Sequence, residues 1–358
     1  MPSELAQVAV IGAAGFIGRN LVVRLEELGH QVHAITRGAK REETETAVAD
    51  ADVVFHLGAA GDAERVGAAI ARGGRRPLVV LGSSSIASAT TREARAVRAS
   101  ENAFLRLAER GAATTAIWRL PTVFGKWAGP DDDPIVATLC HNLSRGLLVT
   151  IEHAAAPLCL LYVDDLIDQW VALLRSPPSE SGFHDARGVH QTTVGETARI
   201  LSAFAEGRGA GRIENVGSGL ERALYATFVA ALPAEAFSYP LVAHIDARGS
   251  FAEVLKTRDG GQVSVLTARP GMTRGGHYHH SKVEKFLVVH GEARFRFRHI
   301  VSGETYELTT RGETPVVVET IPGWTHDVTN VGSDVMVSLL WASELFDQAR
   351  PDTVMMPV

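Results

Sequence analysis

The sequence predicts two folds in series, an α/β unit built on a doubly wound parallel sheet and then an all-β unit. Three observations predict it. A short apolar strand pattern at 7–11 runs into the glycine turn Gly12-Ala-Ala-Gly15-Phe16-Ile17-Gly18 and an amphipathic helix ending near Gly29; a second strand, 31–35, follows at the spacing of a β-α-β unit. The C-terminal third alternates instead, as in Ala293-Arg-Phe-Arg-Phe-Arg-His299, where Phe295 and Phe297 share one face and Arg294, Arg296 and Arg298 the other. Between them the run from Ala231 through Pro233 to Pro240 breaks the helical pattern, which sets the expected domains at 1–238 and 239–358.

Length and composition agree with two cores, since 358 residues is long for one when domains average about 150. Hydrophobic residues make up 46% of the chain and charged ones 21%, and a net charge of −6 gives no electrostatic reason to expect nucleic acid or an anionic membrane. Small-molecule chemistry is the expectation. No apolar run approaches the roughly 20 residues needed to span a bilayer, and the N-terminus enters a strand without a signal-peptide pattern, so a cytoplasmic location is expected. Cys140 and Cys159 lack metal-type spacing and read as packing residues in a reducing compartment.

In the N-terminal half, Gly12, Gly15 and Gly18 let the backbone approach a pyrophosphate, and the N–H groups of Phe16 and Ile17 at the helix start favour the anion. This is the Rossmann-type arrangement. The second strand ends in Thr36-Arg37-Gly38 where an acidic residue would hold a free ribose hydroxyl. Arg37, helped by Lys40 or Arg41, suits a 2′-phosphate, because a guanidinium offers paired donors; NADP(H) is favoured over NAD.

In the C-terminal part, His277 and His279 are two apart and share one strand face, Glu284 can return from the paired strand, and His326 follows in Pro322-Gly323-Trp324-Thr325-His326. Three imidazoles and a carboxylate suit a divalent ion: zinc, iron, manganese or nickel, with zinc the first candidate.

Further motifs carry a family resemblance. Asp52-Val-Val-Phe-His56-Leu57-Gly-Ala-Ala60, Ser83-Ser84-Ser85, Arg119-Leu-Pro-Thr-Val-Phe-Gly125 and Tyr162-Val-Asp-Asp165 resemble the extended short-chain dehydrogenases that act on nucleotide sugars, over about residues 5–235. The resemblance implies Asp52 near the adenine, Leu57 and Arg119 among the cofactor contacts, Ser85 on the reacting oxygen, and Lys126 and Asn142 on the sugar nucleotide. The run from Gly271 to Gly291 and the segment around His326 resemble the two signature motifs of the cupin superfamily, jelly-roll barrels with a metal in the mouth; the second carries its proline one residue late. Asp246-Ala-Arg248-Gly249-Ser-Phe251-Ala-Glu253 resembles a run found in sugar-epimerising cupins. The fusion, with Ala137-Thr-Leu-Cys-His-Asn142, Trp341-Ala-Ser-Glu-Leu-Phe346-Asp347 and Pro351-Asp-Thr353, is similar to the bifunctional capsular-polysaccharide UDP-2-acetamido-2,6-dideoxy-hexulose C3-epimerase/C4-reductases. It implies a UDP-linked 4-keto-6-deoxy sugar as substrate, epimerised at C3 in the cupin and reduced at C4 with NADPH in the dehydrogenase domain, in a homodimer.

The chain departs from that family at one place. Its reductases use a tyrosine and, four residues later, a lysine, yet no Tyr or Lys lies between Ser85 and Asn102. Alignment without a gap puts Ala94 and Arg98 at the two positions; alignment on Glu101 puts Glu93 and Val97 there. Glu93 is the one candidate replacement acid, but a carboxyl near its usual pKa is ionised at neutral pH. Losing a positioned acid removes about 10²–10⁴ in rate. The expectation is a metal-dependent epimerase with a compromised reductase. The rivals are an epimerase with a redox-inactive dehydrogenase domain and a non-catalytic NADP(H) or nucleotide-sugar binding protein. For the epimerase, Lys282 in the turn beside the ligands is the candidate proton carrier, while alternation points Tyr278 and His280 away; His56, His290 and His299 read as structural.

Overall fold

The computed structural model describes residues 5–130, 135–349 and 351–358. The chain forms two compact units that are not contiguous in sequence: residues up to Ser202 with Gly219–Pro233, and Ala203–Ser218 with Ala234–Val358. The segment 203–218, inside the region the sequence assigns to the first domain, therefore groups with the second.

The first unit runs β1 (Gln7–Ile11), α1 (Phe16–Glu27), β2 (Gln31–Ile35), α2 (Arg41–Asp50), β3 (Val53–His56), α3 (Ala63–Gly73), β4 (Leu78–Ser84), α4 (Arg92–Glu109), β5 (Thr114–Leu120), β6 (Thr122–Phe124), α5 (Val136–Leu143), β7 (Pro157–Tyr162), α6 (Val163–Arg175), β8 (Gly182–His184) and β9 (His190–Thr193). Its main sheet has the order β2-β1-β3-β4-β5-β8 with every pair parallel, and β6-β7-β9 form a small second sheet. Both faces of the sheet's centre are covered, which explains the apolar runs Val8–Ile11, Val53–Phe55 and Leu78–Leu81. Val8, Val10, Phe55 and Trp118 pack on Leu21 and Leu25 of α1 and Trp170 of α6, while Ala9, Ile11, Val54 and Ile117 pack on Ile70 of α3 and Phe104 of α4. Gly18 is fixed by this packing, because a Cβ there would stand 2.2 Å from the Gly12 carbonyl oxygen.

The first unit also takes in the start of α7 (Val194–Gly209) and all of α8 (Gly219–Ala230), while the second contains β10 (Arg212–Ile213), β11 (Ala243–Asp246), β12 (Gly249–Thr257), β13 (Gln262–Ala268), β14 (Thr273–Tyr278), β15 (Glu284–His290), β16 (Glu292–His299), β17 (Thr305–Arg311), β18 (Val317–Thr320), β19 (Trp324–Asn330), β20 (Met336–Ala342) and β21 (Val354–Met355). One sheet has the order β10-β12-β13-β20-β15-β18 with β11 on β12, and the other β17-β16-β19-β14-β21. The two face each other across Leu266, Phe286, Val288 and Leu340 from the first and Phe295, Phe297 and Val328 from the second, with the Phe286 and Phe295 rings 5.6 Å apart. Phe295 and Phe297 are buried and the arginines between them half-buried, as alternation predicts. The unit is a two-sheet barrel of the cupin type.

Candidate sites: a histidine-carboxylate centre and a dinucleotide cradle

β14 pairs antiparallel with β19, and this register sets His277 opposite His326. A bulge between Gly275 and His277 adds a residue to β14, with both Gly275 and Gly276 at positive φ, and re-aims the strand end that carries the ligands. The chain then turns through 279–283 and returns as β15, whose first residue is Glu284. One donor atom from each of His277, His279, Glu284 and His326 lies within 4.8 Å of the others. The Nε2 atoms of His279 and His326 stand 3.4 and 3.5 Å from Glu284 Oε2, buried and without a hydrogen-bond partner. Leaving two buried ring nitrogens unpaired beside a carboxylate is costly. A divalent cation shared among the four donors removes that cost, so the residues fit a metal.

The surroundings hold the donors ready. The other ring nitrogen of His279 meets the Asp352 carbonyl, and that of His326 lies 3.4 Å from the Trp324 carbonyl. Burial, with His326 and His279 adding to it, pushes His277 down to about 4, so its ring is neutral at pH 7. Burial acts to raise the Glu284 carboxyl, but the His279 and His326 rings and Lys282 outweigh it and hold the group well below the usual carboxylate range.

The centre opens on a cavity of about 570 Å³ whose wall includes Lys282, Arg248, Arg274, Glu253 and Phe346. Lys282 reaches back as the sequence suggested, with Nζ 3.8 Å from Glu284 Oε1 and its side chain 11% exposed. Tyr278 and His280 are absent from the wall and pack on each other, rings 5.3 Å apart. Arg274 is a functional candidate that sequence reasoning missed; the signal was its place three residues before His277 on the same strand.

In the first unit, Gly12 has a φ of +85°, and a Cβ there would lie 2.7 Å from the Leu57 backbone. Helix α1 starts after Gly15 with no side-chain cap and no acidic residue in its first turn, so its N–H groups at Phe16, Ile17 and Gly18 are left for an anion. Arg37 is exposed just beyond β2. Ser85 is exposed at the end of β4 and opens a short 3₁₀ turn, Ser85–Ser88.

Other expected residues are engaged elsewhere. Asp52 is not brought to the glycine turn: it precedes β3, at the opposite end of that strand from Leu57, where it accepts from the Gln7 N–H at 2.9 Å and pairs with Arg75 at 3.0 Å. Five extended residues, about 16 Å of strand, separate the two ends. Arg119 gives two hydrogen bonds to Glu101, 2.9 and 2.7 Å, and stacks 4.6 Å from the centre of the Phe183 ring, so its donors serve the fold rather than a cofactor. Lys126 pairs with Asp164 and lies over Trp127, while Asn142 is half-buried in α5.

On α4, Thr91 caps the helix at the Ala94 N–H, Ala94 is fully buried, and Glu93 is exposed in the first turn. Arg98 donates to the carbonyls of Ala87 and Ala89, 2.6 and 2.7 Å, and so holds the turn that carries Ser85. His56 is buried with both ring nitrogens unpaired, its ring 5.1 Å from that of Phe104. Neither Cys140 nor Cys159 is in a disulfide.

Comparison with known proteins places this architecture. Residues 8–184 match the NAD dependent epimerase/dehydratase family, and residues 244–354 the polysaccharide biosynthesis C-terminal domain. The chain is 42% identical, over 97% of either length, to the UDP-2-acetamido-2,6-beta-L-arabino-hexul-4-ose reductase of Pseudomonas aeruginosa. The crystal structure of the capsular polysaccharide assembling protein CapF from Staphylococcus aureus superposes with a TM-score of 0.93 at 33% identity, covering 98% of this chain and all of CapF. CapF with the inhibitor 3-isopropenyl-tropolone gives 0.88 at 35%, over 98% and 99% of the two chains. Fold and relatives together define a nucleotide-sugar modifying enzyme. The chain belongs to the family of the Pseudomonas reductase and CapF, in which an NAD dependent epimerase/dehydratase unit is followed by a polysaccharide biosynthesis C-terminal domain. Among the described residues, no helix is long and apolar enough to cross a membrane.

Proposed function

We propose that the cupin unit epimerises C3 of a UDP-linked 4-keto-6-deoxy-N-acetylhexose with the help of a divalent cation, zinc first, held by His277, His279, Glu284 and His326. The observation that carries this reading is the convergence of four buried donors, two with unpaired Nε2 atoms, on one cavity. The relative's name supports the substrate class, since it describes a reductase of a UDP-linked hexul-4-ose.

A bound cation supplies a Lewis acid for the C4 carbonyl oxygen. The C3–H bond is acidified by that carbonyl; its breaking leaves the electron pair in an enolate, and a proton returned to the opposite face of C3 completes the inversion. Lys282, the amine beside the ligands, is assigned the carriage of one of these protons. The apolar wall of Phe251, Phe286 and Leu340 limits water around the enolate.

In the dehydrogenase unit the glycine turn and the start of α1 would hold the pyrophosphate of NADP(H), and Arg37 the 2′-phosphate. NADP(H) supplies the hydride for C4 when bound. Ser85, exposed at the end of β4, is assigned the hydrogen bond to the C4 oxygen, but no tyrosine delivers the proton, and Glu93 is the only acid in the first turn of α4. Reduction is therefore slow, and the reading in which this unit only binds is favoured by Arg98, whose guanidinium is spent on backbone carbonyls.

The test is proton NMR of the 4-keto sugar nucleotide in D₂O with protein stripped by chelator and then reloaded with zinc. Deuterium enters C3 only after reloading; uptake at the same rate by stripped protein, or none by either, would overturn the assignment.

A further inference from the structure

The turn 279–283 carries His279, Lys282 and the approach to Glu284, yet it has no regular secondary structure to hold it. Ser343 exchanges hydrogen bonds with Val283, Gly323 donates to the His279 carbonyl and Glu344 accepts from Ser281, but the three amides in the middle of the turn all go to one distant residue. Asp352 Oδ1 accepts from the His280 N–H at 2.8 Å, and Oδ2 accepts from the N–H groups of Ser281 and Lys282, both at 2.8 Å, and from the Ser281 hydroxyl at 3.1 Å. Three successive N–H groups on one carboxylate form a closed nest around a fixed negative charge. The carbonyl of the same residue meets His279 Nδ1. A carbonyl only accepts, so Nδ1 carries the ring hydrogen and Nε2 keeps its lone pair toward Glu284.

The chain beyond Asp352 continues the contact. Val354 and Met355 pair with Tyr278 and His277, and the Met356 N–H donates to the Gly276 carbonyl at 2.9 Å. Thr325, next to His326, donates to the Met356 carbonyl, and Arg298 donates to that of Pro357 at 2.6 Å. A single strap thus reaches the backbone beside His277 and His279 and the Thr325 hydroxyl beside His326, and Met355 adds to the cavity wall.

We propose that Asp352 is a positioning residue for the histidine-carboxylate centre: it clamps the ligand turn, sets the tautomer of His279, and thereby tunes the affinity and geometry of the bound ion. The inference rests on the metal reading given above. Partners that orient metal ligands are commonly worth 10–100-fold in affinity, and this is the size of effect expected here.

The experiment compares wild type, Asp352→Asn and Arg298→Ala as full chains. D352N keeps the size of the side chain but replaces one accepting oxygen with an amide that cannot accept. R298A loosens the same strap at Pro357 without touching the turn. Three quantities are read: zinc affinity by competition with a chromogenic chelator, the visible absorption of the cobalt-loaded protein, and amide hydrogen exchange at His280, Ser281 and Lys282 in the metal-free state. D352N should lose about 10–100-fold in zinc affinity, shift the cobalt bands, and exchange faster at the three amides. R298A should keep wild-type affinity and wild-type bands. Unchanged zinc affinity and cobalt bands in D352N, or an equal loss in R298A, would overturn the proposal. If D352N does not fold, Asp352→Glu takes its place, with partial recovery of affinity expected and full wild-type behaviour overturning the idea. A wild type that binds neither zinc nor cobalt would sink the metal reading by itself, and the exchange arm would still decide the clamp, since unchanged exchange in D352N refutes it.

Discussion

The two units keep their functional groups by different means. In the dehydrogenase unit, the part proposed to face a dinucleotide is backbone: a glycine turn whose close approaches are set by packing, and uncapped N–H groups at the start of α1. The part expected to complete the reduction is two side chains at the start of α4, where this chain has neither Tyr nor Lys and the helix is nevertheless well formed. Thr91 still caps it, and Ala94, Phe104 and Leu107 still pack. In the cupin unit the four candidate metal donors are also side chains, but His326 and Glu284 are buried on paired strands and His279 is buried in the turn between β14 and β15, and changing one leaves the others unpaired in a buried site. A fold can therefore outlast one of its chemistries when the acting groups sit on a solvent face, and much less readily when they sit in a core.

That contrast can be broken most directly at the metal centre. His326→Ala removes one donor, and we expect C3 exchange to fall at least ~1,000-fold with zinc binding lost, while NADPH binding by fluorescence stays unchanged. A variant that still exchanges would separate the chemistry from the metal. The reverse experiment restores what α4 lacks. Glu93→Tyr with Val97→Lys uses the exposed and half-exposed positions, since fully buried Ala94 has no room for a ring. NADPH oxidation by the 4-keto sugar should rise about 10²-fold, with C3 exchange unaltered. No rise would mean that more than the acid pair has been lost.

Arg37→Ala sharpens the backbone half of the comparison. A charge-assisted contact to a 2′-phosphate is worth about 1.5–3 kcal/mol, so NADPH should bind roughly 10–100-fold more weakly while NADH binds as before. Equal losses for both cofactors would mean that Arg37 does not read the phosphate. The smallest effect concerns His56, which burial pushes down to about 4 from 6.5. Between those values the unfolded chain holds a proton that the folded chain does not, so stability falls as pH drops from 6.5 toward 4, by up to about 3 kcal/mol. Urea melts followed by the tryptophans of the first unit should show this loss in wild type and a flatter profile in His56→Leu; identical profiles would mean that the ring is not kept neutral by the fold.

Much of this was legible because it depends on short-range spacing. The glycine turn, the second strand and the pair His277 and His279 are local patterns, and strand alternation was enough to place Tyr278 and His280 away from the centre. Long-range pairing was not legible. Asp52 matches its motif, but only the strand direction shows that it precedes β3 and ties down Gln7 and Arg75 instead of facing the glycine turn. Arg119 matches too, and its partner Glu101 lies on a different element. Asp352 enters the sequence reading only within Pro351-Asp-Thr353, with no role attached; its contacts exist only once β21 is laid beside β14. The segment 203–218 leaves the first unit because β10 pairs with β12, a contact no local pattern announces.

The most direct test puts both chemistries in one tube: zinc-loaded protein, the UDP-linked 4-keto sugar and NADPH in D₂O, with C3 deuterium read by NMR and NADPH by absorbance. The account predicts metal-dependent deuterium uptake at least ~100-fold faster than NADPH oxidation, as expected when a positioned acid is missing from one site and the ligands are complete in the other. NADPH oxidation that keeps pace with exchange, or exchange that survives removal of the metal, would contradict it.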